Sequence, residues 1–319
     1  MQISPAASAP TLDPAFDRRS GIGASEVAAI LGLDPRRTPL ALWLDKTGQR
    51  PPFEGNEWTR MGHRLEAVIA DSYAERNGVT LSPCPTRRHV THGHVFATPD
   101  RVVDGTSKLV ECKSVFSPRV MTQFGEDGSA EYPHAYAVQC MVQAAVYDAE
   151  AVDLAALIGA DLRVYRVPRD LDRERRLLDA VEAWWDRYIV GGEQPAMDGS
   201  DAAHEWLTRK FPKDTGDVLV ADPITAALVR QVVVTHEERK AAEAAYEVAR
   251  QNLQVVLGDA SAVVAEGIGK VSWKKANGTL KTEWEAVARE AGADDALIAK
   301  HTRSVGGSRR FLVTAEKSQ

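Results

Sequence analysis

Asp100, Glu111 and Lys113 are the residues whose types and spacing first suggest chemistry. They lie in Phe96-Ala97-Thr98-Pro99-Asp100 and Leu109-Val110-Glu111-Cys112-Lys113-Ser114, two apolar runs separated by an Asp104-Gly105 turn signal. Whether the loop is Gly105-Thr106 or the four residues 104–107, the register is the same: Val103 faces Lys108, and Asp100 faces Glu111. Directly opposed residues have Cβ atoms about 4.5–5.5 Å apart, and like charges there repel. Two carboxylates so placed need a cation, and hard oxygen donors favour Mg²⁺ or Mn²⁺ over zinc. Glu111 and Lys113, two apart, share a face of the strand, while Cys112 points the other way. Lysine has donors only, so Lys113 does not bind a metal; it suits orienting an attacking water or stabilising charge at phosphorus. That set describes metal-assisted phosphodiester hydrolysis. Charges on an exposed hairpin edge are the ordinary alternative. The flanking Leu109-Val110 and Val115-Phe116 weigh against it, because they read as a buried strand, where unpartnered charge is too costly to keep.

A third carboxylate sits on a helix. From Arg60 to Asn77-Gly78, Leu65, Val68, Ile69 and Tyr73 recur at helical spacing, with Gly78 as the stop signal. Glu66 edges that apolar stripe, placed either to pair with Arg60 or Arg64 or to serve a metal. A further helix runs from Tyr132-Pro133 through Tyr147, with Gln139 and Gln143 on one face at i,i+4.

Taken in order, Arg18-Arg19-Ser20-Gly21-Ile22-Gly23-Ala24-Ser25-Glu26-Val27, Gly62-x-x-x-Glu66, Pro99-Asp100, Glu111-Cys112-Lys113 and the glutamines Gln139 and Gln143 have compact spacing. This resembles the YqaJ-type viral recombinase family, related to the lambda phage exonuclease within the PD-(D/E)xK nuclease superfamily. The resemblance covers about residues 16 to 195. It implies a restriction-endonuclease-like α/β core, a central mixed sheet flanked by helices. It also implies roles: Asp100 and Glu111 hold a catalytic Mg²⁺ (Mn²⁺ substituting), with the Cys112 carbonyl as a further ligand. Glu66 would serve a second metal, and Lys113 would act on the nucleophilic water. Arg18 and Ser25 match positions that grip a terminal 5′-phosphate. Locally, Gly21 and Gly23 permit a close backbone turn, and Ser25 sits where a helix from Glu26 is expected to start, a natural phosphate site. Glu26 is expected to point away. Gln143-Ala-Ala-Val-Tyr147 fits the Gln-x-x-x-Tyr motif of RecB-like nucleases, whereas the YqaJ pattern emphasises Gln139, so which glutamine faces the site stays open.

The implied activity is a Mg²⁺-dependent DNA exonuclease, acting 5′ to 3′ on linear duplex and leaving 3′ single strands for phage-type recombination. Double-stranded DNA ends are the substrate, a single-strand annealing protein is the companion, and a trimeric ring follows by analogy. A restriction-type endonuclease, or an end-binding protein with a dormant nuclease, is the alternative.

The remaining composition bounds this view. With 319 residues, about two domains are expected: a tail over 1–15, a nuclease core over 16–198, and a C-terminal α+β extension over 199–319. The extension contains a long helix, or a helical hairpin bent near His236-Glu237, from Thr225 to about Val256. No run is long enough to span a bilayer, and residues 1–14 lack the pattern of a signal peptide. Three cysteines, Cys84, Cys112 and Cys140, argue for a reducing cytoplasm, that of a host cell if the gene is phage-borne. They also exclude a four-cysteine iron–sulfur clasp. The net charge of −6 opposes DNA binding. Local basic pairs, Arg18-Arg19, Arg36-Arg37 and Arg87-Arg88, and Lys270 with Lys274-Lys275, offer the needed patches. His89, His92 and His94 are expected to be polar strand positions rather than metal ligands. Strands are expected at Val90–Thr91, Val95–Val103, Lys108–Val115, Asp153–Ile158 and Leu162–Val167. A helix is expected from Asp170 to Ile189. Toward the end of the chain, strand is expected over Val263–Lys275 and Arg310–Val313, with a turn at Asn277-Gly278 and a short helix at Thr282–Ala291.

Overall fold

Pro99 divides the segment 95–103, expected as one strand, into two strands that serve different sheets. Proline cannot donate to a ladder and biases the residue before it, so the chain turns there. The computed structural model describes residues 10–13, 15–276, 278 and 281–303. These fall into two units divided between Lys210 and Phe211.

The first unit begins with β1 (Ile22–Gly23), α1 (Val27–Ile30), α2 (Pro39–Lys46) and α3 (Glu57–Asn77). There follow β2 (Leu81–Pro83), β3 (Arg87–Arg88), β4 (Val95–Ala97), β5 (Arg101–Val103) and β6 (Leu109–Val115). The unit closes with α4 (Pro118–Met121), α5 (His134–Tyr147), β7 (Ala151–Ile158), β8 (Asp161–Pro168), α6 (Leu171–Trp185) and α7 (Asp201–Lys210). Val90–Thr91 is not strand; the neighbouring pair Arg87–Arg88 is, lying antiparallel to β4.

The central sheet has five strands in the order β2-β5-β6-β7-β8. Only the β6–β7 pair is parallel, with α5 in the crossover, so the sheet is mixed. Helices cover both faces. On one, Ile69, Ala70 and Tyr73 of α3 pack on Val110, Cys112 and Ala155. On the other, Cys140 and Ala144 of α5 pack on Leu109, Leu154 and Ala156. Val68, expected in the α3 stripe, is exposed instead, because the buried face of the helix is narrower than its apolar pattern. A third core joins α2, α6 and α7, where Trp43 and Trp206 meet edge-on at 6.4 Å.

The helix boundaries follow local chemistry. Thr38 caps α2 by accepting from Ala41 N at 3.1 Å, with Pro39 at the first position. Asn56 caps α3, and Gly78 ends it at φ 61°, a conformation that favours glycine. A buried network on the α3 side ties Tyr73 Oη (2.7 Å) and Arg166 Nε (2.9 Å) to Asp153.

In the second unit α8 (Pro223–Leu257) is one unbroken helix of 35 residues and not a helical hairpin. Asp222 caps it by accepting from Thr225 N at 2.7 Å. The segment expected as β over 263–275 forms an antiparallel hairpin, β9 (Ala262–Ala265) and β10 (Gly269–Ser272), turning through Gly267 at φ 71°. Two short helices follow, α9 (Trp284–Glu290) and α10 (Asp295–His301). The strand expected at Arg310–Val313 and the turn residue Asn277 lie outside the described residues. Among the described residues, no helix is long and apolar enough to cross a membrane.

Candidate active site

The hairpin of β5 and β6 has the register that the turn signal implies. Arg101 pairs with Val110 and Val102 with Leu109, and Val103 N donates to Lys108 O at 2.9 Å. Continuing that register sets Asp100 opposite Glu111. Alternation then places Leu109, Glu111, Lys113 and Val115 toward α5. Glu111 is buried there among donors. Lys113 Nζ donates to its Oε1 at 2.5 Å, and Gln139 donates to the same oxygen. Gln143 Nε2 donates to Oε2 at 2.6 Å. Both glutamines therefore face Glu111, one helical turn apart on α5. Gln143 Oε1 is buried and has no hydrogen-bond partner among the described residues.

Asp100 accepts from Cys112 N at 2.7 Å. Burial and then the neighbouring charge of Glu111 push its carboxyl up to about 7, against the opposing effect of the Cys112 N–H. Burial alone would lower the Lys113 pKa, but Glu111 beside it raises the ammonium above the usual lysine range. Lys113 also lies 5.3 Å from the ring centroid of Tyr136, a cation–π contact that the motif did not suggest.

The donor set fits a hard divalent cation in two respects. It offers only oxygen ligands from Asp100 and Glu111, and their mutual repulsion is what a cation would relieve. It is incomplete in a third. Glu66 is turned to His63 Nδ1, at 3.0 Å on its own helix, and its charge acts on Asp100 less than those of Glu111 and Lys113. Among the described residues no group of three or more ligand-type His, Cys, Asp or Glu side chains gathers.

Arg18 and Ser25 line a small cleft of about 40 Å³ together with Gly23, Phe96, Gln139 and Gln143. The two glutamines thus border both this cleft and Glu111. A Cβ on Gly23 would stand 3.0 Å from the Phe96 ring and 3.2 Å from the Arg18 guanidinium, which explains glycine there. Arg18 itself lies over the Phe96 ring at 4.9 Å. Ser25 is exposed within a 3₁₀ turn, Ala24–Glu26, that precedes α1; the helix starts at Val27, later than expected, and the turn is capped from Gly23.

Glu26 points away from the cleft. Its carboxylate accepts from Gly23 N at 2.8 Å, Lys46 Nζ at 2.6 Å and Arg37 at 3.1 Å. Lys46 also donates to the Arg18 carbonyl at 2.8 Å. Burial lowers the pKa of Lys46, with Glu26 pulling the other way. Lys46 and Arg37 thus hold the Arg18 loop, and sequence reasoning did not single either out for it. The available signal was a lone lysine closing the apolar helix Pro39–Lys46.

Several residues lie apart. Tyr147, the end of the Gln-x-x-x-Tyr pattern, donates to the Pro85 carbonyl and carries Arg87 over its ring at 4.6 Å. Cys112 packs its thiol side into the α3 core, while its peptide borders Asp100. His92 pairs with Glu182, and His94 stacks on Trp185 at 5.3 Å. The three cysteines are free thiols.

Residues 16–150 match the YqaJ-like viral recombinase domain, bearing out the resemblance seen in the motifs. The chain is 33% identical over 205 residues to the uncharacterized protein YqaJ of Bacillus subtilis (strain 168), spanning 61% of this chain and 62% of that protein. It is 28% identical over 146 residues to the uncharacterized protein R354 of Acanthamoeba polyphaga mimivirus, spanning 43% of this chain and 26% of that protein. The match therefore covers less than two thirds of either relative. Among solved structures, an alkaline exonuclease from Laribacter hongkongensis is similar at 19% identity and a TM-score of 0.45, covering 60% of this chain and 94% of that one. A phage related exonuclease from Haemophilus somnus 129PT is similar at 15% identity and a TM-score of 0.40, covering 54% of this chain and 96% of that one.

Proposed function

We infer, for a chain whose residues 16–150 match the YqaJ-like viral recombinase domain, that this protein is a Mg²⁺-dependent DNA exonuclease attacking linear duplex from its 5′ ends. One observation carries the reading: Gln139 and Gln143 border both the Arg18–Ser25 cleft and Glu111, so a small recess with a cationic wall adjoins that carboxylate.

Asp100, Glu111 and the Cys112 carbonyl would hold the cation, with Glu66 as a further carboxylate. When bound, the cation supplies Lewis-acid stabilisation of charge at the phosphoryl oxygens. The chain's own residues do the rest. The glutamines fix the rotamer of Glu111, so its charge is held in place before substrate arrives. Lys113, kept protonated by Glu111, orients water by donation and stabilises negative charge on the phosphate. Arg18 offers a charge-assisted donor pair to a terminal 5′-phosphate, and the Ser25 hydroxyl adds another. Glu26, neutralised by Lys46 and Arg37, does not repel that phosphate.

Such a reaction releases nucleoside monophosphates and leaves a 3′ single strand, the substrate of a single-strand annealing companion in recombination. A ring of three copies would enclose the duplex and favour processive digestion. The test is incubation with Mg²⁺ and either linear or covalently closed duplex, each strand labelled at its 5′ end. Release of labelled mononucleotide from the linear form alone supports the reading. Linearisation of the closed circle overturns it in favour of an endonuclease.

A further inference from the structure

A large apolar groove beside the candidate active site has no part in the chemistry above. It holds about 760 Å³ and lies between the start of α3, the end of β6 and α4. Phe53, Trp58 and Phe116 line it, and they are 74%, 72% and 41% exposed. The Trp58 and Phe116 rings are 6.2 Å apart and tilted by 44°. Large aromatic side chains gain by burial, so three left in water beside one another mark a binding surface.

Three features identify the occupant. First, the groove adjoins the candidate active site: Ser114 and Val115 follow Lys113 on β6, Phe116 comes directly after the strand, and Tyr136 lines the groove while contacting Lys113. Second, it is continuous with positive charge. Phe53 also borders a recess where Arg18, Arg19, Arg37, Lys46 and Arg50 outnumber Glu26 and Asp45, and Arg18 in turn borders the small cleft with Ser25. Third, among the described residues no carboxylate lines the groove, whereas Arg36, 80% exposed and 3.6 Å from Asp34, does. A polyanion with exposed flat apolar faces matches all three.

We propose that this groove binds single-stranded DNA, stacking unpaired bases on Trp58, Phe53 and Phe116 while Arg36 and the neighbouring arginines follow the backbone. Paired bases present no free faces to side chains, so the groove selects unpaired over duplex DNA. The proposal rests on the nuclease reading for its choice of DNA, and it adds a site outside the catalytic set.

The test is binding without hydrolysis, using the full chain in excess chelator. Dye-labelled oligothymidylate, a matched strand of abasic nucleotides and a blunt duplex are titrated by fluorescence anisotropy, with Trp quenching as a second signal. The unmodified protein should bind oligothymidylate more tightly than the abasic strand. Trp58→Ala and Phe53→Ala should each weaken oligothymidylate binding on the order of tenfold and erase its advantage over the abasic strand. Trp58→Phe should retain most of it, which a merely structural role of the indole would not require. Equal binding of base-bearing and abasic strands, or no effect of Trp58→Ala, overturns the proposal. So does absence of any strand binding, which would leave the groove to a protein partner. A parallel Mg²⁺ assay on linear duplex separates the two failures. Cleavage without base-dependent binding removes only the groove proposal; absence of cleavage by the unmodified protein removes the nuclease reading.

Discussion

Gln143 donates its side-chain amide to Glu111 Oε2 at 2.6 Å, across 32 residues of sequence, and is only 1% exposed. A buried carboxylate needs every oxygen satisfied, and here a helix supplies what the strand cannot. Gln143→Leu keeps the volume but removes the donor. It should cost about 1–3 kcal/mol of stability, the usual penalty of an unsatisfied buried acceptor. Urea unfolding in the absence of DNA measures this. A midpoint unchanged from the unmodified protein would show that water replaces the glutamine at no cost.

Asp100 and Glu111 are expected to be needed for hydrolysis and dispensable for DNA affinity. Asp100→Ala and Glu111→Ala should each abolish cleavage, because each removes one of the two paired carboxylates that would hold the cation. Duplex binding, measured separately by anisotropy, should stay close to normal. Appreciable cleavage by both variants would refute the assigned site.

Lys113 touches Glu111 but is expected to act on the reacting groups. Lys113→Gln should slow the single-turnover rate by roughly 10²-fold or more at saturating Mg²⁺, as expected for a preorganised electrostatic group. The Mg²⁺ concentration needed for half-maximal activity should change little. An unaltered rate would reduce Lys113 to a counter-charge for Glu111.

Arg18 should confer a preference for 5′-phosphorylated ends. Linear duplex carrying a 5′-phosphate should be degraded faster than the 5′-hydroxyl form, and Arg18→Ala should erase most of that difference. Slow degradation of hydroxyl-ended DNA should survive, since the carboxylate pair is untouched. Equal rates on both ends with the unmodified protein would count against a phosphate role for the cleft.

Asp153 makes stability depend on acid. Burial alone would raise its pKa, but hydrogen bonds from Arg166 and Tyr73, with the charges of Arg166 and Lys108, hold it below the usual aspartate range. A carboxyl lowered on folding stabilises the native state above its unfolded pKa of about 3.9, and that contribution fades as pH falls through the folded value. Thermal unfolding between about pH 6 and pH 2 should therefore show the unmodified protein ahead of Asp153→Asn at the upper end, with the gap closing in acid. A gap independent of pH would mean that the charge of Asp153 contributes nothing.

The amino-acid sequence by itself determined the parts ruled by local periodicity and turn chemistry. The Asp104-Gly105 turn set Asp100 against Glu111, because its two- and four-residue loops give the same register, and the strand's period of two put Lys113 on the face of Glu111. Caps at Thr38 and Gly78 marked helix ends for the same local reason. Tertiary structure decided what no local pattern encodes. Packing α5 across β6 brought both Gln139 and Gln143 to Glu111, 28 and 32 residues away, where the motifs had left the choice between them open. Pro99 sent β4 and β5 to different sheets, since the break became visible only through the partners each strand found. Lys46 and Arg37 neutralised Glu26 across 20 and 11 residues. Glu66 turned to His63, and Trp58 came to rest beside Phe116. In each case the outcome depended on which elements were pressed together, and burial of apolar faces, rather than hydrogen bonding within a segment, decides that.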